Sequence, residues 1–215
     1  MRKILVVDIG GTTVKMMLSR SEKRKFNSGA ALTPRQLTTK IKQTTADWKF
    51  DAIAIGFPAP VSQGKIIKEP TNLGKGWVGW DFKKLLGKPT RVINDAALQA
   101  LGSYRGGRML FLGLGTGLGS TFIWDKNIFP LELGHLPYGD GNTIEEHLGK
   151  RGLERFGRKV WEREVFYAIT QLKTAFIADY VMLGGGNAKM FKKLPAGVEF
   201  GSNRNVYLGG CRLWQ

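Results

Sequence analysis

Apolar residues in this chain come mostly in short runs cut off by glycine, with a few stretches at helical spacing. Runs at 3–8, 51–57, 90–93, 110–112 and 179–183 have the length and Val/Ile/Leu content of buried strands. A helix is predicted over 34–48, with Pro34 in its first turn and Leu37, Ile41 and Trp48 on one face. A short helix follows at 81–87, and another begins immediately after Asn94 and Asp95. Residues 139–149 read as a loop turning into a helix that holds Glu145 and Glu146. From Arg158 onward, Trp161, Val165, Ile169, Leu172 and Phe176 recur at three- and four-residue steps, the stripe of a long core helix. The basic stretch 20–25 reads as a solvated hairpin loop, 187–192 as a helix start and 205–214 as a short closing helix.

The chain is organised around LFLGLGTGLGSTFI at 110–123, two apolar runs joined by a glycine turn. LVVDIGGTTVKMML at 5–18 repeats the pattern 105 positions earlier, laying Leu5 on Leu110 and Gly10 on Gly115. A repeat this long predicts two related domains rather than a solenoid. Glycine permits positive φ and removes Cβ, so successive N–H groups can converge on one anion. Gly10, Gly11, Thr12 and Thr13, and Gly115, Thr116 and Gly117, are therefore candidate phosphate-binding residues. The plain alternative is a turn and nothing more. Neither copy matches GxxxxGK[ST], nor GxGxxG ahead of a helix.

Charge changes the picture. Lys and Arg number 33 against 17 Asp and Glu, a net charge of +16, which points to a polyanionic partner or a phosphate-rich substrate. Apolar content of 42% with 23% charged excludes a disordered chain. A single cysteine excludes an internal disulfide and a cysteine-rich metal site, so no zinc is expected. No apolar run is long enough to span a membrane, and a cytoplasmic setting is the default expectation.

Several side chains fall where chemistry is expected. Asp8 ends the first strand beside the first turn, where a carboxylate can hold Mg²⁺, directly or through water; its alternative is a turn-stabilising role. Lys15 points to the same turn. Asn72 sits in a Gly-, Trp- and Lys-rich loop suited to a polyhydroxylated ligand, although packing is preferred for at least one of Trp77 and Trp80. Asp95, between a strand end and a helix start, is either a helix cap or a base for a substrate hydroxyl. Glu132 and His135 share a turn and suit hydrogen bonds to hydroxyls better than metal binding. Gly184, Gly185 and Gly186 close a strand ahead of a helix start, a further anion or nucleoside site.

Six motifs taken in order resemble the ROK family of sugar kinases, within the actin-like ATPase superfamily, and most of all its polyphosphate glucokinase branch. They are DIGGTTVK (8–15), NLGKGW (72–77), VINDA (92–96), LGTGLGS (114–120), ELGH (132–135) and LGGG (183–186). The resemblance implies an α/β protein of two similar actin-like ATPase (ribonuclease H-like) domains with a cleft between them. Their expected bounds are 1–107 and 108–200, with a C-terminal helix at 201–215 packing back on the first. It implies Asp95 as catalytic base, and Asn72, Asn94, Glu132, His135 and Glu145 as sugar ligands, with Glu146 an alternative to Glu145. The implied reaction is phosphorylation of a hexose, glucose at O6, from inorganic polyphosphate and/or ATP with Mg²⁺. An ATP-only glucokinase or mannokinase is the alternative, and a non-catalytic sugar- or RNA-binding protein a further one. Nucleic acid is disfavoured as a partner, and a homodimer is left open. The CxCGxxGC zinc cluster of the main family is missing after His135.

Overall fold

The computed structural model describes residues 2–139, 141–202 and 205–215. Asp140, inside the expected 139–149 loop, and positions 203 and 204, inside the expected 201–215 tail, lie outside the described residues. The chain divides into two compact units, Met1–Gly102 with Val206–Gln215, and Ser103–Asn205.

In the first unit, β1 (Ile4–Ile9), β2 (Thr13–Met17), β3 (Lys23–Asn27), β4 (Ala52–Phe57) and β5 (Thr90–Asn94) form one sheet in the order β3-β2-β1-β4-β5. β1 and β2, and β2 and β3, pair antiparallel; β1 and β4, and β4 and β5, pair parallel. Every residue of β1 is buried because both faces of the strand are covered. Leu5, Val7 and Ile9 join a core with Leu37 and Ile41 of helix α1 (Pro34–Thr44), Trp77, and Phe82 of α2 (Phe82–Leu86). On the other face, Ile4 and Val6 pack with Leu98 of α3 (Asp95–Ser103).

Two expectations change here. The stretch at 20–25 is not all loop: from Lys23 it becomes an edge strand, with Lys23, Lys25 and Asn27 facing water. Charged side chains on an exposed edge keep other strands from pairing there. Helix α1 starts at Pro34 behind a Thr33/Gln36 capping box but ends at Thr44, so Trp48 lies beyond it, with the Arg24 guanidinium 4.5 Å from its ring centre.

The second unit repeats the plan. β6 (Met109–Leu114), β7 (Leu118–Trp124), β8 (Asn127–Leu131), β9 (Tyr180–Gly184) and β10 (Val198–Phe200) are ordered β8-β7-β6-β9-β10, with two antiparallel pairs and then two parallel ones. Ile4 and Met109, and Thr13 and Leu118, begin equivalent strands and are each 105 positions apart. The sequence repeat is thus a repeat of topology. Helix α4 (Ile144–Leu148) leads into α5 (Lys150–Ala175), whose Trp161, Val165, Ile169 and Leu172 cover Leu110, Leu112 and Leu114. α5 begins earlier than Arg158, but Gly157 at φ 69° and ψ 161° breaks it there, which isolates the stripe read from sequence. The expected helix after Gly186 is only a four-residue 3-10 turn, Asn187–Met190, too short to carry a helix dipole of any size.

Helix α6 (Asn205–Arg212) ends on the first unit. Val206 enters the core with Ile4 and Val6, Arg212 donates to the Leu101 carbonyl at 2.7 Å, and Tyr207 donates to the Leu18 carbonyl at 2.9 Å. Gly209 and Gly210 allow this approach, since a Cβ at Gly209 would overlap the Leu98 carbonyl oxygen and one at Gly210 the Val6 methyls. No helix among the described residues is long and apolar enough to cross a membrane. Replacing Gly209 with Ala is expected to destabilise the protein by about 1–3 kcal/mol, the usual scale of overpacking, read as a lower midpoint in chemical denaturation.

Candidate active site

The first turn joins β1 to β2. Gly10 N–H donates to the Thr13 carbonyl at 3.0 Å, and Ser28 Oγ donates to the Gly10 carbonyl at 2.6 Å, so the turn is braced from β3's exit. Among the described residues, the Gly11 and Thr12 N–H groups have no partner. Asp8 faces Lys15 across the β1–β2 register, with Lys15 Nζ at 3.6 Å. The Asp8 side chain is 10% exposed and that of Lys15 49%. Burial pushes the Asp8 carboxyl above the ordinary aspartate range, and Lys15 pulls against that shift.

Asn72 packs directly on this turn: a Cβ on Gly11 would lie 2.8 Å from Asn72 Cβ. Its loop is held by Glu69, whose carboxylate accepts from the backbone N–H groups of Gly76 (3.1 Å), Trp77 (3.0 Å) and Val78 (3.2 Å). In sequence, Glu69 is marked only as a lone carboxylate in a Lys- and Gly-rich loop. Trp77 is a core residue, fully buried with its ring 5.0 Å from that of Phe57. Gly74 N–H donates to the Leu32 carbonyl at 3.0 Å, tying the loop to the segment ahead of α1.

At the carboxyl end of β5 the two candidates divide the work. Asn94 Oδ1 accepts from the N–H groups of Ala96 (2.9 Å) and Ala97 (3.2 Å), so the helix cap is Asn94. Asn94 Nδ2 donates to the Ala59 carbonyl at 3.4 Å. Asp95 occupies the first helical position, its Oδ1 accepting from Ala96 N–H at 2.8 Å. Gly56 lets α3 come this near, as a Cβ there would stand 3.3 Å from the Asp95 Cα.

In the second unit the β6–β7 turn is a meeting point. None of Gly10, Gly11, Gly115 and Gly117 lies in the left-handed region, which removes positive φ from the two expected reasons for these glycines and leaves the missing Cβ. Close approach is the reason at Gly10, Gly11 and Gly117, whereas a Cβ at Gly115 would meet nothing within 4 Å. Gly117 receives the Glu145 carboxylate where a side chain would be, and Gly149 sits where a Cβ would be 2.7 Å from the Thr116 carbonyl oxygen. Gly185, at φ 84°, crosses the Leu114 backbone with no room for a Cβ. Asn187 Nδ2 donates to the Gly115 carbonyl at 3.0 Å, and Lys150 N–H to the Thr116 carbonyl at 3.2 Å. The 115–117 turn and the 184–186 glycines are therefore one structure. Gly115 N–H is spent on the Gly117 carbonyl at 3.0 Å, whereas the Thr116 and Gly117 N–H groups have no partner among the described residues.

Glu145 and Glu146 separate clearly. Glu146 forms a capping box with Thr143, accepting from its N–H at 2.9 Å and its hydroxyl at 3.0 Å. Glu145 turns the other way, toward Leu118 N–H at 3.4 Å and against Gly134. Glu132 and His135 lie on the adjoining turn, His135 Nδ1 4.0 Å from Glu132 Oε2, with both side chains more than half exposed. Ser120 anchors that turn: its hydroxyl donates to the Leu131 carbonyl at 2.9 Å and accepts from Leu133 N–H at 3.0 Å.

No group of three or more His, Cys, Asp or Glu able to hold a metal occurs among the described residues. A lone buried carboxylate still fits Mg²⁺, which keeps most of its waters and takes other oxygens from substrate phosphates. Because its pKa is raised in the folded state, ionised Asp8 costs stability above the ordinary aspartate range and none well below it. Asp8→Asn is therefore expected to raise the thermal midpoint at pH 7, a gain that closes as the pH is lowered through the aspartate range. Thermal scans of both proteins from pH 3 to 8 check the sign; a variant less stable than the parent at pH 7 would show that the Lys15 pair outweighs burial.

The profile of the ROK family matches residues 4–144. Polyphosphate glucokinase of Mycobacterium leprae (strain TN) is 22% identical, covering 84% of this chain and 62% of its own length. That of Mycobacterium tuberculosis (strain ATCC 25618 / H37Rv) is 24% identical, covering 87% and 78%. The chain thus spans less than two thirds of the first relative and about three quarters of the second. Among solved structures, inorganic polyphosphate/ATP-glucomannokinase from Arthrobacter sp. strain KM superposes with a TM-score of 0.82 at 24% identity, over 100% of this chain and 98% of that one. A ROK family glucokinase from Streptomyces griseus, in complex with glucose and AMPPNP, gives 0.74 at 17% identity, over 98% of each. With two-thirds of its length matched by the family profile and its fold shared with these kinases, the chain belongs to the ROK family.

Proposed function

We propose that this protein phosphorylates a hexose, glucose at O6, with inorganic polyphosphate and/or ATP as donor. The observation that carries the reading is the division of labour at β5: Asn94 takes the helix cap, so Asp95 is not needed there as the cap. Asp95 accepts the proton of the sugar hydroxyl as its oxygen attacks the terminal phosphorus in line. The phosphoanhydride bond breaks, and the shortened donor leaves with the bonding electron pair. Asn72, the Asn94 amide, Glu132, His135 and Glu145 hold the sugar hydroxyls; Glu146 is committed to its capping box. The Gly11 and Thr12 amides, with Lys15, and the Thr116 and Gly117 amides, with the 184–186 segment, receive donor phosphates. Mg²⁺, held through water by Asp8, would neutralise charge on the transferring group. Such catalysis is positioning and electrostatics, and fixed backbone amides suit it because they need no reorganisation during the reaction.

Asp95→Asn is expected to lower kcat by about 10²–10⁴, the range for a general base, while glucose binding and the thermal midpoint stay near those of the parent. Calorimetric glucose titration beside a coupled glucose 6-phosphate assay reads both; near-normal turnover would remove Asp95 from the chemistry.

Polyphosphate is the expected donor because two basic segments lie together beside the second turn. Arg158 donates to the Met190 carbonyl, and Phe191 stacks on Trp161 at 5.0 Å, which joins the 150–159 and 189–193 stretches. Lys150 at the start of that surface is bonded through its own N–H to Thr116. A long phosphate chain reaches such outer charges and ATP does not, and exposed charges are screened within about 8 Å at physiological salt. Lowering the salt should raise kcat/KM for long polyphosphate more than for ATP, and the difference should grow with chain length. Activity with ATP alone would make the protein an ATP-dependent hexokinase.

A further inference from the structure

Asp8 and Asp95 lie at the carboxyl ends of their strands; at the opposite end of the same sheet is a second concavity. The last turn of α1, the entry to β4 and the end of α2 enclose a cavity of about 510 Å³. That volume is within the range of about 300–1,000 Å³ common to small-molecule sites. Its floor is apolar, made by Ile41, Ile53 and Leu86, and Trp48 and Phe50 line it with flat, partly exposed rings.

Its rim is cationic. Lys3, Lys42, Lys49 and Lys88 stand around the opening, against Asp51 as the one carboxylate of the lining. Asp51 is already engaged, accepting from the Lys3 backbone N–H at 2.7 Å. None of the four ammonium groups forms an ion pair among the described residues. Four like charges gathered round one opening repel each other, and a multiply charged anion relieves that repulsion. The aromatic walls add a second requirement. The Arg24 guanidinium already stands 4.5 Å from the Trp48 ring centre and the Lys88 ammonium 6.0 Å from that of Phe50. A bare phosphate chain would use only the lysines, whereas a flat ring also stacks on the part of these rings left exposed.

We propose that this cavity binds a small anion joining a flat aromatic ring to two or more phosphate groups, the nucleoside diphosphate and triphosphate class, at a site separate from the donor turns. The ring lies against Trp48 and Phe50, and the phosphates lie among the lysines. Nothing in this assignment depends on which donor the catalytic reaction uses.

Photolabelling the whole chain with 8-azidoadenosine diphosphate, followed by peptide mapping, tests it. An adduct within residues 41–53 is expected, displaced by ADP. Reversing two charges in Lys42→Glu/Lys49→Glu should weaken labelling of that peptide about tenfold or more, in line with the loss and inversion of two exposed contacts. Lys88→Glu, on the strand-entry side, should weaken it as well, and an unchanged thermal midpoint shows that each variant is folded. Inorganic tripolyphosphate should protect the peptide at least about tenfold less well than ADP, because it lacks the ring. The proposal is overturned by absence of label in 41–53, by label that survives both charge reversals, or by equal protection from tripolyphosphate.

Discussion

Several stretches of chain meet at the tip of the β6–β7 hairpin, and they can do so only because backbone meets backbone there. Gly185 lies on Leu114, Gly149 on Thr116, and the Glu145 carboxylate on Gly117. At each contact a single methyl group would occupy space already taken. The consequence is rigidity at the one place where it matters for charge: the tip is fixed from the β9 exit loop, the α4 helix and the start of α5 at once. For the proposed phosphate-binding role, amides held that firmly would offer an anion dipoles that are already oriented, which is worth more than flexible donors that must be ordered on binding. The hydrogen bonds from Asn187 to Gly115 and from Lys150 to Thr116 finish the same task by using up the carbonyls. What remains without a partner among the described residues of the tip is N–H, at Thr116 and Gly117, not C=O.

The two units start from one plan and spend it differently. The 105-residue offset places Asp8 opposite Gly113 and Lys15 opposite Ser120. In the first copy, these register partners carry a buried carboxylate and its ammonium. In the second, the register is shifted by one, so that Gly113 pairs with Gly119 and Ser120 with Leu112, and Ser120 uses its hydroxyl to pin the turn that holds Glu132 and His135. A buried carboxylate is costly, since desolvation acts against its ionised form. The first copy bears that cost, and the second, with glycine at the matching position, does not.

Much of this was legible in the sequence because short, glycine-bounded apolar runs can be little else than buried strands. The offset of the two hairpins carried the whole sheet order with it, down to matching strand starts at Ile4 and Met109. What escaped notice depends on partners distant in sequence. Lys23–Asn27 has no apolar signature, since only half of an edge strand touches anything, and its charges face water. The conformation of the turn glycines could not be read either: no local pattern says that Glu145, 28 positions on, will sit against Gly117. Asn94 and Asp95 stand side by side and both can cap a helix, so only hydrogen-bond geometry distinguishes the cap from its neighbour.

The excess positive charge resolves along the line between arginine and lysine. Six arginines are tied into the fold: Arg24 to Asp47, Arg105 to Glu199 and Arg108 to Asp179, with Arg91, Arg158 and Arg212 on backbone carbonyls. A planar guanidinium with five donors suits such fixed, bidentate contacts. Among the described residues, only Lys15 and Lys150 of the lysines form ion pairs. The unpaired ammoniums of Lys189, Lys192 and Lys193 follow directly on the glycines of the second turn, and those of Lys3, Lys42, Lys49 and Lys88 ring the cavity of the first unit. A compact protein carrying +16 is destabilised by its own repulsion, and these lysines contribute to that without holding any element in place. Charge that the fold does not use is charge presented to solvent and to ligands. It is concentrated past the glycines after β9 and around a cavity whose lining holds a single carboxylate, Asp51.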